Sequence, residues 1–189
     1  MSRDYRLSNV TKEYLAWFRC ILDEMRCYMT TAELTDSISH NFIVQMIPHH
    51  QAAIEMSNNI LRYTTNIPLQ EIALQIVDEQ TQSIEDMQAV LQTCSRLENC
   101  QQDLYLYQAR VNQIMHAMFS AMEDARADNQ INADFIREMI PHHIGAIAMA
   151  ENALQYDICP ELKPMLQAII TSQEQGIMQM KMLLRRMEG

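Results

Sequence analysis

Residues 42–63 read FIVQMIPHHQAAIEMSNNILRY, and residues 135–156 read FIREMIPHHIGAIAMAENALQY. The two stretches lie 135 − 42 = 93 residues apart and align without a gap. Continued to residues 91 and 184, the comparison gives 20 identities in 50 positions, where about 3 are expected from average composition. Leu69, Ile76, Gln80, Gln82, Ile84, Met87 and Leu91 fall on Leu162, Ile169, Gln173, Gln175, Ile177, Met180 and Leu184. Upstream, Leu22, Met25 and Met29 fall on Met115, Met118 and Met122. The chain is therefore a duplication of one unit, with copies over about 9–95 and 100–187. We read residues 1–189 as one domain made of both copies.

The unit is helical. Only 3 Gly and 5 Pro leave little material for turns, and 16 Met with abundant Gln, Leu, Ala and Glu favour helix. The spacing predicts six helices, at 9–30, 38–62, 69–95, 100–127, 131–156 and 161–187. Asp36 or Ser37 and Asp128 or Asn129 are the cap candidates before the second and fifth helices. Pro68 and Pro160 stand near the starts of the third and sixth, where a missing N–H costs nothing. Pro48 and Pro141 instead interrupt the histidine helices. Either the helix bends there, leaving the Val44 carbonyl without its donor at a cost near ~3 kcal/mol, or a new helix begins.

With about 100° per residue, Phe42, Met46, His49, His50, Ala53 and Met56 fall within an arc of about 120°, and Glu55 points the opposite way. Phe135, Met139, His142, His143, Ala146 and Met149 repeat that arc. Both imidazoles of each pair are thus expected on a core-facing stripe beside thioethers. Gln80 and Gln173 interrupt apolar stripes at matching places. Each is either a buried amide bonded across to a helix or a ligand, or a rim residue half in water. His40 and His116 have no counterpart in the other copy and are read as incidental.

Neutral imidazole ligates Cu, Zn, Fe or Ni, and a thioether favours Cu(I). No Asp or Glu lies over another at the shift of 93, so a symmetric carboxylate-bridged di-iron centre is disfavoured. What recurs is His49/His142, His50/His143, the amides, and Met25/Met118, Met29/Met122, Met46/Met139, Met56/Met149 and Met87/Met180. A structural hydrogen-bonded histidine pair and proton chemistry are the competing readings of the same residues, and gap-filling core is the ordinary role of a helical methionine.

A net charge of −10 argues against nucleic acid as a partner. No run of about 18 apolar residues exists to span a membrane. The polar opening MSRDYRLSNVTKEY lacks a secretory signal, so the expected location is cytoplasmic, or periplasmic or extracellular if a leader was removed. Cys20, Cys27, Cys94, Cys100 and Cys159 are odd in number and hold no CxxC, so they are read as thiols, with Cys94 and Cys100 able to join under oxidation.

At FIVQMIPHHQAAIEM and FIREMIPHHIGAIAM the chain resembles the family called domain of unknown function 305, over roughly 36–92 and 129–185. The family pattern is an aromatic, M-I-x-H-H, A-I-x-M, then a helix with Q-x-x-E-I-x-x-M. The resemblance implies an all-α, ferritin-like four-helix bundle core built from the second, third, fifth and sixth helices, with the fourth as the long crossover and the first as its pseudo-symmetric partner. Some bacterial members look like periplasmic copper-binding proteins. Carried over, the metal ligands are His49, His50, His142 and His143 with Met46, Met56, Met87, Met139, Met149 and Met180. Where the family has Glu before Ile, this chain has Ser83 and Gly176. The reading is a metal-binding protein, with a metal ion as partner and copper as the cofactor, used for sequestration or handling. A ferritin-like redox or oxygen-handling metalloprotein and a metal-free helical scaffold stay open beside it. So does the choice between a monomer and a symmetric homodimer.

Overall fold

In a computed structural model, residues 7–188 are described, and the first six residues of the polar opening lie outside them. The described chain is all-α, with helices α1 Asn9–Thr31, α2 Ile38–Leu61, α3 Ile67–Cys94, α4 Gln101–Glu123, α5 Ile131–Ala153 and α6 Leu162–Glu188. Packing runs α2 on α3, α3 on α6, α6 on α5 and α5 on α2, a closed ring of four. Outside it, α1 lies on α2 and α4 lies on α5. The 93-residue shift is thus a structural two-fold correspondence, with α1–α3 on one side and α4–α6 on the other.

Local chemistry explains most of the boundaries. Ser8, Ser37 and Asn66 cap α1, α2 and α3, their side-chain oxygens accepting from the N–H groups of Thr11, His40 and Leu69. Pro68 occupies the first turn of α3. Helix α5 departs from expectation, because its cap residue is Gln130 and makes no side-chain cap bond. Asn129 serves α1 instead, accepting from the Ser8 N–H at 2.8 Å and the Thr11 hydroxyl at 3.2 Å. Asp128 accepts from the Gln130 N–H at 2.8 Å, while Asp134 accepts from the Asp128 N–H at 3.0 Å. Arg137 bridges Asp128 and Asp134. That network holds the chain in a turn, and α4 ends at Glu123 rather than at 127.

Both interior prolines sit inside unbroken helices, Pro48 in α2 and Pro141 in α5, so no new helix begins at either. The predicted stripe is fully buried in each copy, from Phe42 through Met56 and from Phe135 through Met149. Eleven methionines are buried: Met25, Met29, Met46, Met56, Met87, Met115, Met118, Met122, Met139, Met149 and Met180. The thioethers therefore line the interior, and any use of them as ligands happens there.

The cysteines differ from expectation. Cys94 and Cys159 form a disulfide, whereas Cys20, Cys27 and Cys100 are exposed thiols. Cys94 ends α3 on its buried side, and the α3–α6 contact brings it to the turn before α6, 65 residues on. Cys100 opens α4 on the surface and faces away. Asn99 fastens the same end of the bundle. Its N–H and side chain bond to Asp36, Ile38 and Asp157 at 2.8, 2.9 and 2.7 Å. Among the described residues, no helix is long and apolar enough to cross a membrane.

Candidate metal centre

The two Pro-His-His segments meet where α2 crosses α5. The rings of His49 and His142 stack face to face, centroids 3.6 Å apart and planes inclined by 31°. Each ring also reaches the other helix. His49 Nε2 lies 3.2 Å from the His142 carbonyl, and His142 Nε2 lies 3.1 Å from the His49 carbonyl. A carbonyl only accepts, so both Nε2 atoms carry the proton. The tautomer follows: each Nδ1 holds a lone pair. Neither Nδ1 has a hydrogen-bond partner, and neither do those of His50 and His143.

All four imidazoles are neutral at ordinary pH. Burial, first of all, holds His50 down at about 3 and His142 at about 4, and it pushes His49 and His143 well below the usual histidine range. Charge on His142, His50 and His143 would add to the effect at His49, and charge on His142 to that at His50. A dry pocket with unprotonated nitrogens is what a metal needs from imidazole, because a ligand must be deprotonated to bind.

The outer histidines diverge from the shared centre. His50 and His143 stand 5.9 and 6.0 Å from their inner neighbours, ring to ring. His50 Nε2 meets the Ser83 hydroxyl of α3 at 3.1 Å. On α6 the equivalent residue is Gly176, and a Cβ there would stand 3.0 Å from both Cδ2 and Nε2 of His143. The His143 ring thus fills the room that a side chain at 176 would take. The two positions where the chain departs from the family's Glu are the two that face the outer rings, and they make the copies inequivalent.

The methionines follow from helix geometry. Met46 is three and four residues before His49 and His50, and Met139 before His142 and His143, so their side chains share the face with Cβ atoms about 5–6 Å apart. Met56 and Met149 follow on the same stripe, and Met87 and Met180 belong to the facing α3 and α6. All six are buried in the one core cluster. Among the described residues, the set of three His, Cys, Asp or Glu ligand atoms within 4.8 Å of one another is Cys94, Cys159 and Glu161, whose sulfurs are already joined. Three histidine nitrogens do not converge. His49 and His142 are the imidazoles brought into contact across the two copies, and the six methionines lie in the surrounding core cluster.

Several buried polar groups near the crossing escape the reading of the sequence. The Tyr14 hydroxyl donates to Glu138 Oε2 at 2.6 Å in the interior. Burial, with Asp134 adding to it, pushes the Glu138 carboxyl up to about 8, so it is mostly neutral at pH 7. At the matching places stand Tyr107 and Gln45, whose hydroxyl and Oε1 are buried without a partner. Asn59 and Asn152 each donate to a tyrosine carbonyl, of Tyr14 and Tyr107 respectively, at 3.2 Å. The signal was in the repeat, since Tyr14 and Tyr107 are 107 − 14 = 93 apart. Gln80 and Gln173 prove to be buried amides, not rim residues. His40 bonds to Ser95 and to the Glu33 carbonyl at 2.9 and 3.1 Å, a structural tie outside the site.

Fold and site together define an all-α, twice-repeated helical protein with four buried neutral histidines at its internal two-fold. Residues 39–184 match the family described as Domain of unknown function (DUF305), and the chain belongs to that family. Among curated proteins, none matches the chain. Among solved structures, CopM in the Ag-bound form is 29% identical with a TM-score of 0.59, over 82% of this chain and 98% of that one. CopM in the Cu(II)-bound form is 30% identical with a TM-score of 0.57, over 78% and 96%. A DUF305 fragment from Deinococcus radiodurans, 22% identical over 79% and 96% with a TM-score of 0.58, shares the fold.

Proposed function

We propose that this protein binds a soft transition-metal cation as cargo, copper in its monovalent state, and serves its sequestration or handling. The ligands are drawn from His49, His50, His142 and His143 together with Met46, Met56, Met87, Met139, Met149 and Met180. One observation carries the reading. The stacked His49–His142 pair keeps two Nδ1 lone pairs unpartnered in a dry, methionine-lined interior. An unsatisfied buried acceptor costs about 1–3 kcal/mol, and a cation bound at either nitrogen would remove that cost. Thioether and imidazole donors in small number favour Cu(I) and its heavier relative Ag(I) over harder ions. Likeness to CopM, whose structures are described as Ag-bound and Cu(II)-bound, supports the same class. The Cys94–Cys159 disulfide supports an oxidising compartment over the cytoplasm.

A second reading has its own observation. The reciprocal Nε2–H bonds to the His142 and His49 carbonyls clasp α2 to α5 without any metal. Titration of the metal-free protein with Cu(I) against a chromophoric chelator separates the two. The expected result is that the double variant His49→Ala, His142→Ala binds at least about tenfold more weakly, or ~1.4 kcal/mol. Cu(I) should also raise the melting temperature of the wild type and not of the variant. Equal affinity in a variant that keeps its helicity leaves only the clasp.

A further inference from the structure

The glutamines at matching places in the two copies remain unexplained by a site at the His49–His142 crossing. Gln80 is 2% exposed and Gln173 is 1% exposed, and the Oε1 of each is buried with no donor. They come from facing helices, α3 and α6, and both line one cleft of about 320 Å³. Of the four buried histidines, His50 lines this cleft, next to Ser83. Asp78, Glu79 and Asp86 also line it, with Asp78 and Asp86 exposed to solvent. Glu79 and Asp86 accept from the neutral amides of Gln75 and Gln82 at 2.7 and 2.9 Å. None of the three is in an ion pair among the described residues. Their charge is uncompensated and faces the opening.

The arrangement is one-sided. At the shift of 93, Asp78, Glu79 and Asp86 correspond to Thr171, Ser172 and Gln179. The three carboxylates therefore have no acidic counterparts in the second copy, whose outer histidine, His143, is pressed against Gly176. The geometry points to the α3–α6 cleft as the uptake route of the cation, with Asp78, Glu79 and Asp86 at the mouth, the Gln80 and Gln173 side chains in the wall, and His50 as the first imidazole reached. This rests on the metal-binding reading and deepens it. Clustered carboxylates around a concave opening concentrate cations by their field. The wall is polar where Gln80, Gln173 and Ser83 line it, which suits a cation that keeps part of its hydration shell on the way in. The His50 imidazole then takes the ion at the floor, one residue from the central pair.

The route differs from the destination in what it controls. It sets the rate of loading, while the histidines and thioethers set the final affinity. The test measures both with Ag(I) as nitrate in chloride-free buffer, following uptake by stopped flow and affinity by chelator competition. In the triple variant Asp78→Asn, Glu79→Gln, Asp86→Asn, the uptake rate at low ionic strength should fall about tenfold, within the range electrostatic focusing supplies. Affinity should stay within twofold, and the deficit should fade as salt is raised. A charge-matched control, Glu71→Gln, Glu98→Gln, Glu151→Gln, changes three exposed acids away from the cleft and should load like the wild type. Gln80→Leu with Gln173→Leu should slow uptake at least as much while keeping or raising the melting temperature, because two unsatisfied oxygens leave the interior. Uptake in the cleft triple variant as fast as in the control overturns the route and leaves the metal reading standing. Absence of Ag(I) binding in the wild type overturns both.

Discussion

Acidifying the metal-free protein from pH 7 to pH 4 is expected to unfold it, and the buried histidines are the reason. Each has its folded-state value depressed, His50 to about 3 and His142 to about 4 from an ordinary 6.5, and His49 and His143 in the same direction. For a depressed group, the stability is fully present above the unfolded value and is lost as pH falls toward the folded one. The window therefore opens near pH 6.5 and runs down to about 3. At pH 4 the unfolded chain has taken up protons that the fold refuses, and His50 and His142 alone would withdraw roughly 6 kcal/mol, with His49 and His143 adding to the loss and Glu138 returning roughly 3 kcal/mol as its carboxyl protonates in the unfolded chain too. That is comparable with the whole stability of an ordinary domain, about 5–15 kcal/mol. Helicity by circular dichroism should collapse between pH 5 and pH 4. His50→Gln, which removes one such group but keeps a polar partner for Ser83, should move the midpoint downward. A wild-type transition below pH 3, unmoved by the substitution, would contradict the burial of neutral imidazole.

The second large effect lies at the other end of the scale. Glu138 is raised from 4.5 to about 8 by burial first and by Asp134 second. A raised carboxyl leaves stability intact below pH 4.5, loses it through the window up to pH 8, and carries the full cost above. The displacement corresponds to roughly 4–5 kcal/mol at pH 9. Glu138→Gln should therefore melt several degrees higher than the wild type at pH 9 and nearly together with it at pH 5. The substitution puts at 138 the residue that the other repeat carries at 45, where Gln45 and Tyr107 are buried without a bond to each other. Equal melting temperatures at pH 9 would mean that the carboxylate reaches solvent.

Both effects arise from polar groups that the helical repeat carries into the interior, and they show how far the sequence could be read. The Phe42–Met56 and Phe135–Met149 stripes were legible because helical periodicity and self-comparison agree on the same residues, and each is buried as expected. Ser37, one of the two candidates before α2, is its cap, whereas the spacing does not single out Asn66, and α3 starts two residues earlier than it predicts. Other features depend on contacts distant in sequence. The Cys94–Cys159 bond joins two connections that only the α3–α6 contact makes neighbours, so counting cysteines favoured the nearer Cys100. The cap residue of α5 is Gln130, and the Asn129 oxygen accepts instead from Ser8, 121 residues away. The meeting of His49 with His142 needed the crossing of α2 and α5, which no spacing within either helix encodes. Glu138 was passed over because the comparison sought carboxylates matched between copies, and this one faces an amide instead.

The ring nitrogens themselves give the most direct test, by long-range proton–nitrogen NMR of protein labelled at histidine, before and after one equivalent of Ag(I). The predicted metal-free spectrum shows His49 and His142 protonated at Nε2 and bare at Nδ1, and Ag(I) then displaces the Nδ1 resonance of one or both. Tight Ag(I) binding that leaves the Nδ1 resonances of all four buried histidines where they were would contradict a metal centre at the crossing of α2 and α5.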